Sequence, residues 1–180
     1  MLYYIHGYLS KHNSKKGTLF RDLLNAIPIE YHQGPPESLD IDQALRQIME
    51  AIRNDPEPIL IGSSFGGFLA AEAALRCNAI KTIILLNPAI IPPRADARKL
   101  RGIPSTIRER MQDSMLFKTK MSVTIVILIA TRDEVIPADW VLNFAKTQEA
   151  TVRFLDDDHA FRDNLSLLPS IIEEVLILRS

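Results

Sequence analysis

The sequence predicts an α/β protein: a three-layer, doubly wound, mostly parallel sheet of about six strands with a short lid-like insertion. Three observations predict it. Short apolar runs alternate with longer segments of helical periodicity. Most of those runs are continuous rather than alternating, as expected when helices cover both faces of a parallel sheet. One stretch, residues 88–121, breaks the rhythm with Pro88, Pro92, Pro93, Gly102 and Pro104 and holds no good strand.

The elements follow in order along a single domain spanning residues 1–180. Strands are predicted at residues 2–5, 29–31, 58–61, 82–86, 123–129 and 151–155. Between them, residues 18–26 form a helix stopped by Pro28. Residues 39–53 form a second, with Asp40 and Asp42 at its entrance and Ile41, Leu45, Ile48, Met49 and Ile52 at helical spacing. Residues 65–76 are rich in Ala and Leu, which suits a helix packed closely on a sheet. Helices over residues 105–117, 138–146 and 165–178 complete the set. The β-α-β-α order argues for right-handed crossovers. Residues 88–121 join two strands by more than one crossover helix, and such long connections often carry a cap over a binding site.

Composition narrows the function. Twenty-one basic against twenty-two acidic residues give a net charge of −1, so a nucleic-acid partner is not expected. A lone cysteine, Cys77, excludes an internal disulfide and reads as core packing. The first residues lack a basic n-region and a long apolar h-region, and no apolar run is long enough to span a bilayer. A cytoplasmic protein without a membrane partner is the expectation.

The sharpest chemical signal is Gly62-Ser63-Ser64-Phe65-Gly66, a G-x-S-x-G turn between an apolar strand and an Ala-rich helix. A serine on such a strained turn stands clear of neighbouring side chains. The helix behind it directs free N–H groups toward a developing negative charge. Ser64 is the expected nucleophile, and Ser63 is the rival if the turn shifts by one residue. A serine also needs a base and a group that orients the base. In this arrangement the partners follow the nucleophile as acid, then histidine. Of the histidines at 6, 12, 32 and 159, His159 alone follows Ser64. The acid belongs just after the preceding strand, where Asp133 is chosen and Glu134 is the close alternative. Asp156, Asp157 and Asp158 share the histidine's own loop and are assigned to capping or charge tuning. The oxyanion donors are expected to be the backbone N–H groups of Phe65 and Tyr8, with His6 bracing the loop that carries Tyr8.

Taken together, His6-Gly7-Tyr8, Gly62-Ser63-Ser64-Phe65-Gly66-Gly67, Asn87-Pro88-Ala89, Asp133-Glu134-Val135 and Asp158-His159-Ala160-Phe161 resemble the small YqiA/YcfP-type esterases of the α/β-hydrolase superfamily. The resemblance spans nearly the whole chain. It implies a compact hydrolase fold lacking the first strands of larger members, a Ser64–Asp133–His159 triad and activity on simple esters. Arg132 departs from the pattern: a small residue commonly stands there, and a guanidinium is placed to compete for the carboxylate of Asp133.

A cap of roughly thirty residues is small. The expected pocket is therefore shallow, lined by Tyr8, Phe65, Ile91 and Phe161, and suited to a small-molecule, short-chain ester. Arg94, Arg98, Lys99, Arg101, Arg108 and Arg110 crowd the same segment, as a solvated face or an attraction for an anionic substrate or partner. Thioesterase or peptidase-like hydrolysis, and a non-catalytic binding role on the same fold, are the alternative functions. No cofactor or metal is expected, because the Gly-rich turn lacks both a Walker lysine and a G-x-G-x-x-G pattern.

Overall fold

The computed structural model describes residues 1–112 and 115–177. Six strands form one sheet: β1 (Leu2–Ile5), β2 (Ile27–Pro28), β3 (Ile59–Ser63), β4 (Thr82–Leu86), β5 (Thr124–Ala130) and β6 (Thr151–Leu155). Their order is β2-β1-β3-β4-β5-β6, and every neighbouring pair is parallel. The chain first steps from β1 to β2 on one side, then returns past β1 to β3 on the other. The order thus reverses between β1 and β3, which opens a crevice beyond their carboxyl ends where ligands bind in open α/β sheets.

The continuous apolar runs resolve into two opposed faces. Tyr3, Ile5, Leu60, Ile83, Leu85, Ile125 and Ile127 point into one core with α2 (Ile41–Ile52), α3 (Phe65–Arg76) and α6 (Ala138–Gln148). Tyr4, Ile61, Ile84, Leu86, Val126 and Leu128 point into the other with α1 (Lys15–Leu24) and α7 (Leu168–Ile177). Side chains alternate across a strand, so a run apolar at every position is what a sheet buried on both faces requires.

Several boundaries differ from the sequence reading for identifiable reasons. Helix α1 begins at Lys15 because Ser14 caps it, accepting a hydrogen bond from the Gly17 N–H. It ends at Asn25, which adopts φ 54°, three residues before Pro28. The second strand pairs at Ile27–Pro28 rather than at residues 29–31. As the sheet edge it tolerates Pro28, while Tyr31 turns inward beneath β1. The helix predicted over residues 105–117 divides into α4 (Ser105–Met111) and α5 (Met115–Lys118). Gln112 ends α4, and its side-chain amide donates to the Ala95 carbonyl. Residues 113 and 114 of that prediction lie outside the described residues. The C-terminal helix opens with a 3-10 turn at Leu165–Leu167, and residue 178 of its predicted span also lies outside them.

The described residues of the 88–121 segment pack on the first core rather than standing away from it. Ile90, Ile91, Leu100, Ile103, Ile107, Met111 and Leu116 are all buried there. No helix among the described residues is long and apolar enough to cross a membrane.

Candidate active site

Ser64 joins β3 to α3 with φ 55° and ψ −118°, a conformation L-residues avoid. The turn is held rather than relaxed. The Ser64 N–H donates to the Leu86 carbonyl, while the Ser64 carbonyl accepts from the N–H groups of Gly67 and Ala89. Glycine is required on both sides of it. A Cβ at Gly62 would sit 2.4 Å from the Gly66 carbonyl oxygen, and one at Gly66 would sit 2.1 Å from that of Ile5. The turn can therefore close only where backbone meets backbone.

Three side chains from the carboxyl ends of different strands meet in a line. The His159 Nε2 lies 3.1 Å from the Ser64 Oγ, and its Nδ1 lies 2.7 Å from the Asp133 Oδ2. Asp133 is fixed from behind, its Oδ1 accepting from the N–H groups of Val135 at 2.8 Å and Ile136 at 3.0 Å. The Asp133 side chain is 5% exposed, whereas Glu134 is exposed and outside this line. Ser63 is buried at the end of β3.

Arg132 does not compete for Asp133. Its guanidinium turns to Asp156 at 2.8 Å and Asp163 at 2.5 Å, which pull it across the outside of the histidine loop. Asp157, fully buried, organises that loop from within. Its carboxylate accepts from the N–H groups of Asp158, Asp163 and Asn164 and from the Asn164 side chain. These bonds hold its carboxyl below the usual carboxylate range although burial opposes them. An acidic run visible in the sequence thus divides its work: Asp156 pairs outward, and Asp157 binds backbone.

Asn87 ties the strand ends together, a role the sequence reading did not assign although it noted the Asn-Pro-Ala segment. Its Oδ1 accepts from the Ala130 N–H at 2.8 Å, and its Nδ2 donates to the His159 carbonyl at 3.1 Å. The residue is 1% exposed with φ 44°, a left-handed conformation that asparagine tolerates.

The loop after β1 closes the opposite wall. A Cβ on Gly7 would lie 3.5 Å from the Ser64 Cβ, so backbone runs directly alongside that serine. His6 braces this loop: its ring donates from Nδ1 to the Gly7 carbonyl at 2.9 Å and stacks on Tyr31, with centroids 4.3 Å apart. The Tyr31 hydroxyl donates to the His6 carbonyl at 3.1 Å. Burial pushes the His6 imidazole down to about 4, so it is neutral at pH 7.

A cavity of about 850 Å³ opens onto Ser64 and His159, bordered by Tyr8, Leu9, Ile103, Val135 and Leu165. Two residues expected there are elsewhere. Ile91, near the start of the cap segment, is fully buried in the first core, and Phe161, with φ 55°, is fully buried on the opposite face of the sheet against α1 and α7. Phe65 is buried too, edge-on to Tyr8 with centroids 5.8 Å apart, so it supports the pocket wall without lining it. Lys16 and Leu165, from α1 and the turn before α7, border the cavity instead. No group of acidic, His and Cys side chains able to hold a metal ion occurs among the described residues.

The all-parallel sheet, the strained serine turn and the strand-end line of side chains define an α/β-hydrolase fold. Solved structures share it. Est1E from Butyrivibrio proteoclasticus, determined with bound ferulic acid, is 17% identical, with a TM-score of 0.79 over 98% of this chain and 87% of its own. Alpha/beta hydrolase domain-containing protein 10 from mouse is 18% identical, with a TM-score of 0.78 over 99% and 90%. The monoacylglycerol lipase of Paleococcus ferrophilus is 16% identical, with a TM-score of 0.74 over 99% and 94%. At such identities the likeness is one of fold. A search of curated proteins finds no match. The chain belongs to the uncharacterised protein family UPF0227, the YcfP/YqiA-type family, which it matches over residues 1–174.

Proposed function

We propose that this protein is a cytoplasmic serine esterase that hydrolyses small or short-chain carboxylic esters through Ser64, His159 and Asp133. The observation that carries the reading is the unbroken hydrogen-bonded line from the Ser64 Oγ through the imidazole to the Asp133 carboxylate. His159 Nε2 takes the Ser64 proton as Oγ attacks the acyl carbon, and the Nδ1–H donates to Asp133, which stabilises the imidazolium. The tetrahedral oxyanion is received by the backbone N–H of Phe65, the first residue of α3, and by that of Tyr8 beside Gly7. The C–O bond to the alcohol then breaks, with His159 returning the proton to the leaving oxygen. Water, deprotonated by the same imidazole, attacks the acyl-enzyme and releases the acid and free Ser64.

The compact-acyl reading is supported by Ile91 and Phe161, which are locked into the two cores and so lengthen no acyl channel, while Leu9, Leu100, Ile103, Val135 and Leu165 offer the acyl group an apolar border. Residues 88–121 act as a small cap in which Leu100, Arg101, Gly102 and Ile103 reach the cavity. Labelling by a fluorophosphonate probe tests the nucleophile, and a p-nitrophenyl ester series tests the chain length. We expect covalent label on the native chain, none on Ser64→Ala, and a rate maximum at short chains. Equal labelling of Ser64→Ala removes the catalytic reading, and a maximum at long chains removes the short-chain one.

A further inference from the structure

The basic residues of the cap are mostly spent on the protein itself. Arg98 pairs with Asp96 at 2.8 Å, Arg110 with Asp42 at 2.8 Å, and Arg108 donates to the Leu100 carbonyl at 2.9 Å. Of the cap's cations, Arg101 borders the cavity. It is joined there by Lys15 and Lys16 at the start of α1 and by Arg162 from the histidine loop. No Asp or Glu borders the cavity among the described residues.

Lys16 is the distinctive member. Its chain is partly buried, and its Nζ lies 5.6 Å from the centroid of the Phe161 ring. It makes no ion pair or hydrogen bond among the described residues. The carboxylates that attract it from a distance, Asp158, Asp157 and Asp133, are each committed to other donors. Burial pushes its ammonium down to about 8 against that attraction. An amine that is partly desolvated and faced by an aromatic ring rather than by an anion gains more from an anion than a solvated surface lysine does.

We infer that Lys16, assisted by Arg101, binds an anionic group, a carboxylate or a phosphate, carried by the substrate beside the ester that Ser64 attacks. This deepens the esterase reading and rests on it for the position of the scissile bond. The anion would enter from the cap side, with the apolar border receiving the uncharged part of the acyl or alcohol moiety. The class of substrate is then an acidic ester rather than a neutral one.

Two measurements on the full chain test it. Titration calorimetry with benzoate and with phenyl phosphate separates the two anion sources without any turnover. Hydrolysis of mono-p-nitrophenyl adipate and of p-nitrophenyl hexanoate gives a kcat/KM ratio for charged against neutral acyl groups. Each is read in the native chain, in Lys16→Met, in Arg101→Met and in Lys81→Met, which removes an exposed cation just before β4 at the far end of the sheet. Lys16→Met is expected to weaken the preferred anion about tenfold and to lower the ester ratio about tenfold, with Arg101→Met showing a few-fold loss. Lys81→Met is expected to match the native chain in both. A native chain that binds neither anion, or equal affinities in Lys16→Met and Lys81→Met, overturns the anion site. If Lys16→Met does not fold, Arg101→Met against Lys81→Met decides by the same criterion. Turnover of neither ester refutes the esterase reading, while the calorimetry still decides the anion site.

Discussion

Replacing Asn87 by alanine tests whether the strand ends are held together as described. The substitution removes the acceptor of the buried Ala130 N–H, an omission that costs roughly 1–3 kcal/mol. It also deletes the bond to the His159 carbonyl, worth about 1 kcal/mol, and leaves alanine at φ 44°, which costs about 1 kcal/mol more. Together these amount to about 3–5 kcal/mol, or a fall of roughly 6–20 °C in Tm for a chain of this length. Asn87→Asp separates the two tethers. It keeps an acceptor for Ala130 but buries a carboxylate oxygen against the His159 carbonyl, so it should cost several kcal/mol, no less than alanine, while freeing the histidine loop. Both variants are expected to lose on the order of a hundredfold in kcat, because misplacing a base by about 1 Å costs that much. Thermal unfolding and ester hydrolysis measure the two effects. An alanine variant melting within 2 °C of the native chain, or an aspartate variant with native kcat, would refute the reasoning.

Two further predictions follow from the charges around the site. His6 is buried neutral with its imidazole pushed down to about 4, so its contribution to stability is complete above about pH 6.5 and is lost as pH falls toward 4. The loss is on the order of 3 kcal/mol, and urea midpoints should fall more steeply over that window in the native chain than in His6→Gln; parallel curves contradict it. Arg132→Ala removes pairs to Asp156 and Asp163 that are solvent-exposed, so stability should change by less than about 1 kcal/mol and kcat/KM by no more than about twofold. A tenfold loss of activity would mean that Arg132 does act on Asp133.

How legible each part was depends on the range of the interaction that fixes it. The serine turn could be read because its strand, glycines and helix are adjacent in sequence, and His159 because it is the only histidine after Ser64. Asp133 followed from its position after β5, but its freedom from Arg132 did not, since that depends on Asp163 folding back across the loop. Apolar character marked Ile91 and Phe161 as buried or pocket-lining without separating the two. Which one holds is set by where the backbone aims the side chain, and Phe161 is aimed inward by a left-handed φ. Lys16 was silent because its proximity to the cavity comes from packing α1 against the sheet, a contact no local pattern records. For the same reason Asn87 was noted as a motif but not as a tether: its partners lie 43 and 72 residues away.

The histidine loop hangs from the outermost strand, β6, whose residues are only partly covered. The Thr131 N–H to the Leu155 carbonyl and the Arg132 N–H to the Asp157 carbonyl bind that edge to the turn carrying Asp133. Edges of this kind open sub-globally at lower free energy than a central sheet. The serine turn sits on the interior strand β3 and keeps its shape in such an opening, whereas His159 is carried away with β6. On the proposed esterase reading, catalytic competence belongs to the last cooperative unit to close, and the chain would lose its proposed base while most of its fold is still intact.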